Sequence, residues 1–204
     1  RQRQMCIRDR ISNVCVFASS CNFLDESYYT EAAELGRMLA ESGMDMIYGG
    51  SCLGLMWACA KEVKDNGRRL IGVMPEKLKE MDVFSDYCDE FFLTPCMRSR
   101  KAKMDELSEA LIALPGGFGT LEELSEMIVQ KQLGYNNKAI VILNTNGFYN
   151  NLLNFFDDII EQKFANKKAQ NLYFIANTPK EAVEYLKTYE PQDLAVKKED
   201  IYAR

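Results

Sequence analysis

Short apolar runs alternate with longer stretches of helical periodicity along most of the chain. Val14–Ala18, Met44–Tyr48 and Leu70–Met74 are apolar but for Asp45 and too short for helices, so they read as buried strands. Between the first two, Glu26–Ser42 sets Tyr29, Ala32, Ala33, Gly36, Leu39 and Ala40 on one helical stripe, and Gly43 closes it. Leu53–Asn66 forms the second helix, stopped by Gly67. After Pro75 a charged, irregular stretch leads to a short strand at Glu90–Leu93. Thr94-Pro95 then opens a helix, with proline at its first position, that runs through Met104, Leu107 and Ser108. Strand Leu111–Leu114 is followed by the glycine-rich turn Pro115–Gly119. Next comes a helix over Leu121–Leu133 with Leu121, Leu124, Ile128 and Leu133 facing inward. Ala139–Leu143, Tyr149–Lys163, Tyr173–Ile175 and Pro179–Thr188 complete the alternation. Such spacing predicts a single α/β domain, its parallel sheet of about seven strands crossed right-handedly with helices on both faces.

That domain covers residues 13–190. Residues 1–12, which include four arginines and no periodicity, read as a disordered or non-native tail, and 191–204 as a polar, mobile one. The 204 residues are 47% apolar and 27% charged, a globular composition that excludes a disordered chain. A net charge of -5 argues against a nucleic-acid partner. No run reaches the roughly 18 apolar residues of a membrane span, and no segment reads as a secretory leader. The chain contains no histidine, which removes imidazole bases, His-dependent triads and HExxH zinc sites. Cys6, Cys15, Cys21, Cys52, Cys59, Cys88 and Cys96 include no CxxC pair and read as reduced thiols of a cytoplasmic protein. Among them Cys52 stands out because it follows a Gly-Gly turn.

Parallel sheets bind ligands at the carboxyl ends of their strands, and three stretches fall there. Tyr48–Met56 carries Gly49, Gly50 and Gly54 ahead of a helix, letting backbone approach an anion. Its spacing is not GxGxxG, and no acidic residue closes the next strand, so a dinucleotide fingerprint is disfavoured. Pro115–Glu123 repeats the strand–loop–helix design with Gly116, Gly117, Gly119 and Thr120, but lacks the GKS/GKT end of a P-loop. Thr120 and Glu123 also have capping-box spacing, as do Thr178 and Glu181, so position alone leaves Glu123 open between helix cap and catalytic carboxylate. Glu122 lies about 100° around the helix from Glu123, too far for a converging pair. Met97–Lys103 places Arg98, Arg100, Lys101 and Lys103 near a helix N-terminus, against the macrodipole. It reads either as a solvated basic face or as an anion site, where arginine's planar fork is the better phosphate partner.

At these residues the chain resembles the Lonely Guy family of phosphoribohydrolases, often labelled lysine decarboxylases. Pro115–Glu123 fits PGGxGTxxE, Tyr48–Met56 resembles YGGxxxGLM, Arg100-Lys101 the end of an MHERK-type motif, and Ile71–Pro75 an IGVIP strand. The similarity runs from about Val14 to Glu190. It implies a Rossmann-like homodimer that cleaves the N-glycosidic bond of a nucleoside 5′-monophosphate, a cytokinin riboside monophosphate or AMP, without metal or cofactor. By position it implies Glu123 as catalytic carboxylate, with Arg100 as its partner. Gly116, Gly117, Gly119 and Thr120 would hold the phosphate. Glu122, Lys101, Met97, Gly49, Gly50, Gly54 and Ser19 would also border the substrate. Glu80 is the nearest match to an acidic substrate contact after the IGVIP strand. The His and Glu of MHERK are replaced here by Arg98 and Ser99, and Trp57 stands where relatives carry glycine. Two other readings remain: a nucleotide-binding module of this fold without catalysis, and a pyridoxal phosphate decarboxylase, for which no lysine–acid pair is marked.

Overall fold

The computed structural model describes residues 11–80 and 86–197. The expectations for 1–10, 81–85 and 198–204, and for Cys6, lie outside the described residues. Strand β1 (Asn13–Phe17) leads to α1 (Glu26–Glu41), β2 (Asp45–Tyr48), α2 (Gly54–Asp65), β3 (Leu70–Pro75) and a single helical turn, α3 (Glu76–Lys79). Then follow β4 (Glu90–Thr94), α4 (Met97–Leu107), β5 (Ala110–Ala113), α5 (Phe118–Gln132), β6 (Ala139–Leu143), α6 (Asn150–Glu161), β7 (Phe174–Ala176) and α7 (Pro179–Thr188).

The seven strands form one parallel sheet in the order β4-β3-β2-β1-β5-β6-β7. Burial on both faces explains why the five central strands are largely apolar rather than alternating, while the edge strands β4 and β7 stay partly exposed. Val14 and Val16 of β1 join a core with Leu35, Leu39, Leu55, Val63 and Leu186 from α1, α2 and α7. Cys15 and Phe17, one residue out of phase, join the opposite core with Met104 of α4 and Leu124 and Met127 of α5. The strand order reverses between β1 and β5, and the loops leaving their carboxyl ends diverge over a crevice at that switch point.

Three expectations need correction. Pro95 precedes its helix instead of starting it: Cys96 is the N-cap and Ser99 the third helical residue, with Cys96 N–H donating to Ser99 Oγ at 3.2 Å. Helix α5 begins at Phe118, three residues early, because Gly117 serves as N-cap and Gly119 is taken into the first turn. Its inward stripe is therefore Thr120, Glu123, Leu124, Met127 and Lys131, while Leu133 is exposed. The segment after Pro191 is polar but docked as far as described: Leu194 packs on Ala169 and Leu172, and Val196 N–H donates to Gln132 O at 2.8 Å.

Candidate active site

Three loops meet above the switch point and are stitched by backbone bonds. Ser19, just past β1, donates its N–H to Pro115 O at 3.1 Å, fixing the β1 loop to the glycine-rich loop after β5. Its carbonyl accepts from Leu55 N–H at 2.9 Å, which seats the first turn of α2. Tyr149 Oη donates to Leu114 O at 2.7 Å from beneath. Gly50 and Gly54 hold positive φ angles of 74° and 61°, where side chains are strained. A Cβ at Gly54 would also strike Ser19 O, so glycine here lets two loops touch.

Between these loops lies a cavity of about 460 Å³ bordered by Ser19, Gly49, Ser51, Met97, Arg100, Gly117, Gly119, Thr120 and Glu123. Its floor is an ion pair: Arg100 Nη1 donates to Glu123 Oε1 at 3.0 Å, with both side chains only 9% exposed. Arg100 Nε donates to Val73 O at 3.1 Å, which orients the guanidinium plane. Its Nη2 presses on Gly49 so closely that a Cβ there would collide with it. Burial pushes the Glu123 carboxyl above its ordinary value, and Arg100 is the chief influence pulling it back.

The early start of α5 decides one question left open by spacing. Glu123 lies one and a half turns inside the helix, and its carboxylate accepts from Arg100; it caps nothing. Thr178 and Glu181, with the same spacing, do cap: Glu181 N–H donates to Thr178 Oγ1 at 3.2 Å. The first turn of α5 directs amides without intrahelical acceptors towards the cavity mouth, together with the positive end of the helix dipole. Open space faces Gly117 and Gly119, whereas a Cβ at Gly116 would overlap Thr120.

The structure separates the other expected residues. Of the basic run only Arg100 enters the site with its charge buried. Lys101 turns to Glu122 and Glu126, Lys103 to Glu106, and Arg98 is exposed. Glu122 and Lys101 thus pair with each other and do not border the cavity. Gly50 and Gly54 shape the loop behind it, and Gly116 lies beside it, bordering a smaller apolar hollow that shares Ser19 and Gly117. Glu80 is exposed at the end of α3, and Leu78 from that turn borders the cavity instead. Sequence reasoning missed Ser51, Met74 and Leu78; the first two lie at the carboxyl ends of β2 and β3, which was the available signal. Cys52 is exposed and does not border the cavity. Among the described residues no cluster of three or more acidic or cysteine side chains could hold a metal, and no helix is long and apolar enough to cross a membrane.

A buried arginine–glutamate pair lies beneath a glycine-rich helix N-terminus at the switch point of a parallel sheet, a Rossmann-like arrangement whose helix end suits an anion. Residues 56–186 match the sequence model described as "Possible lysine decarboxylase". The chain is 40% identical over 185 residues to the cytokinin riboside 5′-monophosphate phosphoribohydrolase LOG of Oryza sativa subsp. japonica, covering 91% of this chain and 76% of that one. It is 39% identical over 184 residues to LOG4 of Arabidopsis thaliana, a protein of the same name, covering 90% and 86%. The chain belongs to this Lonely Guy family. In fold it is similar to the molybdenum cofactor carrier protein of Chlamydomonas reinhardtii, with a TM-score of 0.65 at 24% identity over 87% of this chain and 98% of that one.

Proposed function

We propose that the chain hydrolyses the N-glycosidic bond of a purine nucleoside 5′-monophosphate, a cytokinin riboside 5′-monophosphate or AMP, releasing free base and ribose 5-phosphate. The observation that carries this reading is the buried Arg100–Glu123 pair on the floor of the cavity that α5 opens into. Relatives named for this activity at about 40% identity support it.

Cleavage of the glycosidic bond passes through a ribosyl oxocarbenium-like state. The 5′-phosphate sits on the amides of the first turn of α5, around Gly117, Gly119 and Thr120. That anchor fixes the sugar over Glu123, whose carboxylate stabilises the developing positive charge and orients water for attack at C1′. Arg100 opposes the rise that burial imposes on the Glu123 carboxyl and holds it in one orientation, with the guanidinium itself fixed by Val73 O. Met56, Met74, Leu78 and Met97 give the cavity an apolar side suited to the base. The working unit is a homodimer; Val129 and Leu133 of α5 and Phe155 of α6, left exposed, support this, and light scattering on the purified chain tests it. Cys15 and Cys59, buried as thiols in the core, fit the reducing cytoplasm.

The test is chromatographic detection of free base from AMP and isopentenyl-AMP, with Glu123→Gln alongside. Base and ribose 5-phosphate in equal amounts, lost in the variant, are the expected result. Binding of AMP with no base released would leave a nucleotide-binding module.

A further inference from the structure

The ion pair on the cavity floor joins two helices, and little apolar packing holds one of them. Of the eleven residues of α4 only Arg100 and Met104 are buried, with Leu107 packed part-buried behind them. The rest of its seating is polar. Lys101, next to Arg100, turns to α5, where its ammonium lies between Glu122 Oε1 and Glu126 Oε2. Those two carboxylates stand one turn apart on one face of α5 and would repel each other without a cation between them. The Lys101 side chain is 13% exposed, the most sheltered member of the cluster.

Two bridges therefore run between the same helices from consecutive residues: Arg100 to Glu123 inside, Lys101 to Glu122 and Glu126 outside. The outer bridge acts on the inner one in two ways. It resists sliding of α4 along α5, which would carry Arg100 away from Glu123. It also balances charge, since Glu122 pushes the Glu123 carboxyl up and Lys101 pulls it down. The other groups facing Glu123 are Arg100 and the thiol of Cys15 on β1, which burial pushes up and keeps protonated. We infer that Lys101 is a positioning residue for the hydrolysis: clamped between Glu122 and Glu126, it holds α4 against α5 and offsets Glu122, so that Arg100 and Glu123 meet in one register. It acts through that pair without bordering the cavity, and the inference rests on the hydrolase reading proposed above.

The experiment measures base release from AMP against pH for wild type, Lys101→Met, Lys101→Arg and Glu122→Gln. Methionine keeps most of the stem and removes the charge. Lys101→Met should lower kcat about tenfold, hold KM within about threefold and move the acid limb of the profile upward. Arginine, whose fork reaches two carboxylates, should bring kcat back to within about threefold of wild type. Glu122→Gln should move the limb the other way, downward, because it removes a carboxylate that pushes Glu123 up. A bridge that only stabilised the fold would lower melting temperatures and leave the limb in place. Limbs that stay put, or that shift in the same direction in Lys101→Met and Glu122→Gln, would overturn the inference, as would Lys101→Arg being as slow as Lys101→Met. Glu122 is 56% exposed, so Glu122→Gln should fold and tests the sign even if Lys101→Met does not. Should wild type release no base, the hydrolase reading fails, and urea unfolding against pH decides the role of Lys101 instead. Pairing each protein with its Glu123→Gln counterpart isolates the Glu123 proton, whose window should reach higher pH in the Lys101→Met background; an equal window would overturn the inference.

Discussion

Replacing Glu123 with glutamine removes one charge and leaves nearly everything else in place. Glutamine keeps an oxygen that can accept from Arg100 Nη1, now 3.0 Å from Glu123 Oε1, while Arg100 Nε keeps Val73 O. A carboxylate about 4 Å from a developing cation contributes about 4 kcal/mol at an effective dielectric near 20. Losing it should slow turnover about a thousandfold. Because the charge matters only in the transition state, kcat should fall while KM stays within a few-fold. The cost to folding should be about 1–3 kcal/mol, because the amide oxygen still accepts from Arg100 while the buried guanidinium loses its counter-charge. Glu123→Ala costs more because it removes the hydrogen-bond acceptor of the buried guanidinium as well as its counter-charge, at about 3–5 kcal/mol and a fall in melting temperature on the order of 10 °C. Initial rates of base release and thermal unfolding, measured on both variants, separate chemistry from stability. If Glu123→Gln retained activity within tenfold of wild type, the assignment of Glu123 as the stabilising carboxylate would be refuted.

Four further expectations can be checked independently. Lysine at position 100 cannot reach both Val73 O and Glu123, so Arg100→Lys should move the acid limb of the pH–rate profile above that of wild type, which itself lies above 4.5. Because folding raises the Glu123 pKa, the folded state takes up its proton first, so its contribution to stability falls as pH rises from 4.5 through the raised value. A pH series of wild type against Glu123→Gln would isolate that slope. Gly117→Ala should fold normally, since nothing lies within 4 Å of the new methyl, yet bind AMP at least tenfold more weakly; Gly116→Ala should lose stability as well, because its methyl overlaps Thr120, and titration plus urea unfolding distinguishes the two. Lys131 is 2% exposed and held down to about 8 by burial, so it is charged in the unfolded chain but neutral in the folded one between about pH 8 and 10.5. Wild type should gain stability relative to Lys131→Met across that window, and parallel curves in urea would contradict it.

The alternation of apolar runs with helical periods was enough to locate each described strand along the chain, because the central strands, covered on both faces, leave nearly unbroken apolar runs. Helix starts were harder. Pro115–Gly119 looks like a loop because two of its glycines flank Phe118, yet α5 begins at Phe118, with Gly119 in its first turn. That shift of three residues rotates the inward face. Glu123 and Lys131 then occupy positions that a hydrophobic pattern assigns to leucines, and Leu133 turns outward. A carboxylate placed in the buried stripe of a helix is invisible to periodicity, and here only the motif marked the one proposed for catalysis. The fate of the basic run was equally hidden. Nothing in Arg98–Lys103 says that one cation goes under the site while its neighbours pair along the outside of α4 and α5. Ser51 lies inside the marked Tyr48–Met56 stretch at the end of β2, but one hydroxyl among its glycines did not stand out.

Arg100 touches three elements at once: the carbonyl of Val73 on β3, the carboxylate of Glu123 on α5 and the bare Cα of Gly49 after β2. Its place is thus a compound lock whose parts are scattered over 75 positions of sequence. Across descendants of a common ancestor, such parts drift together or not at all. A lineage that acquires a side chain at position 49 has no room for the guanidinium. One that trades away the arginine releases both the glycine and the glutamate from selection. Paired loss of these residues would therefore mark branches in which the fold has been kept and its present chemistry given up.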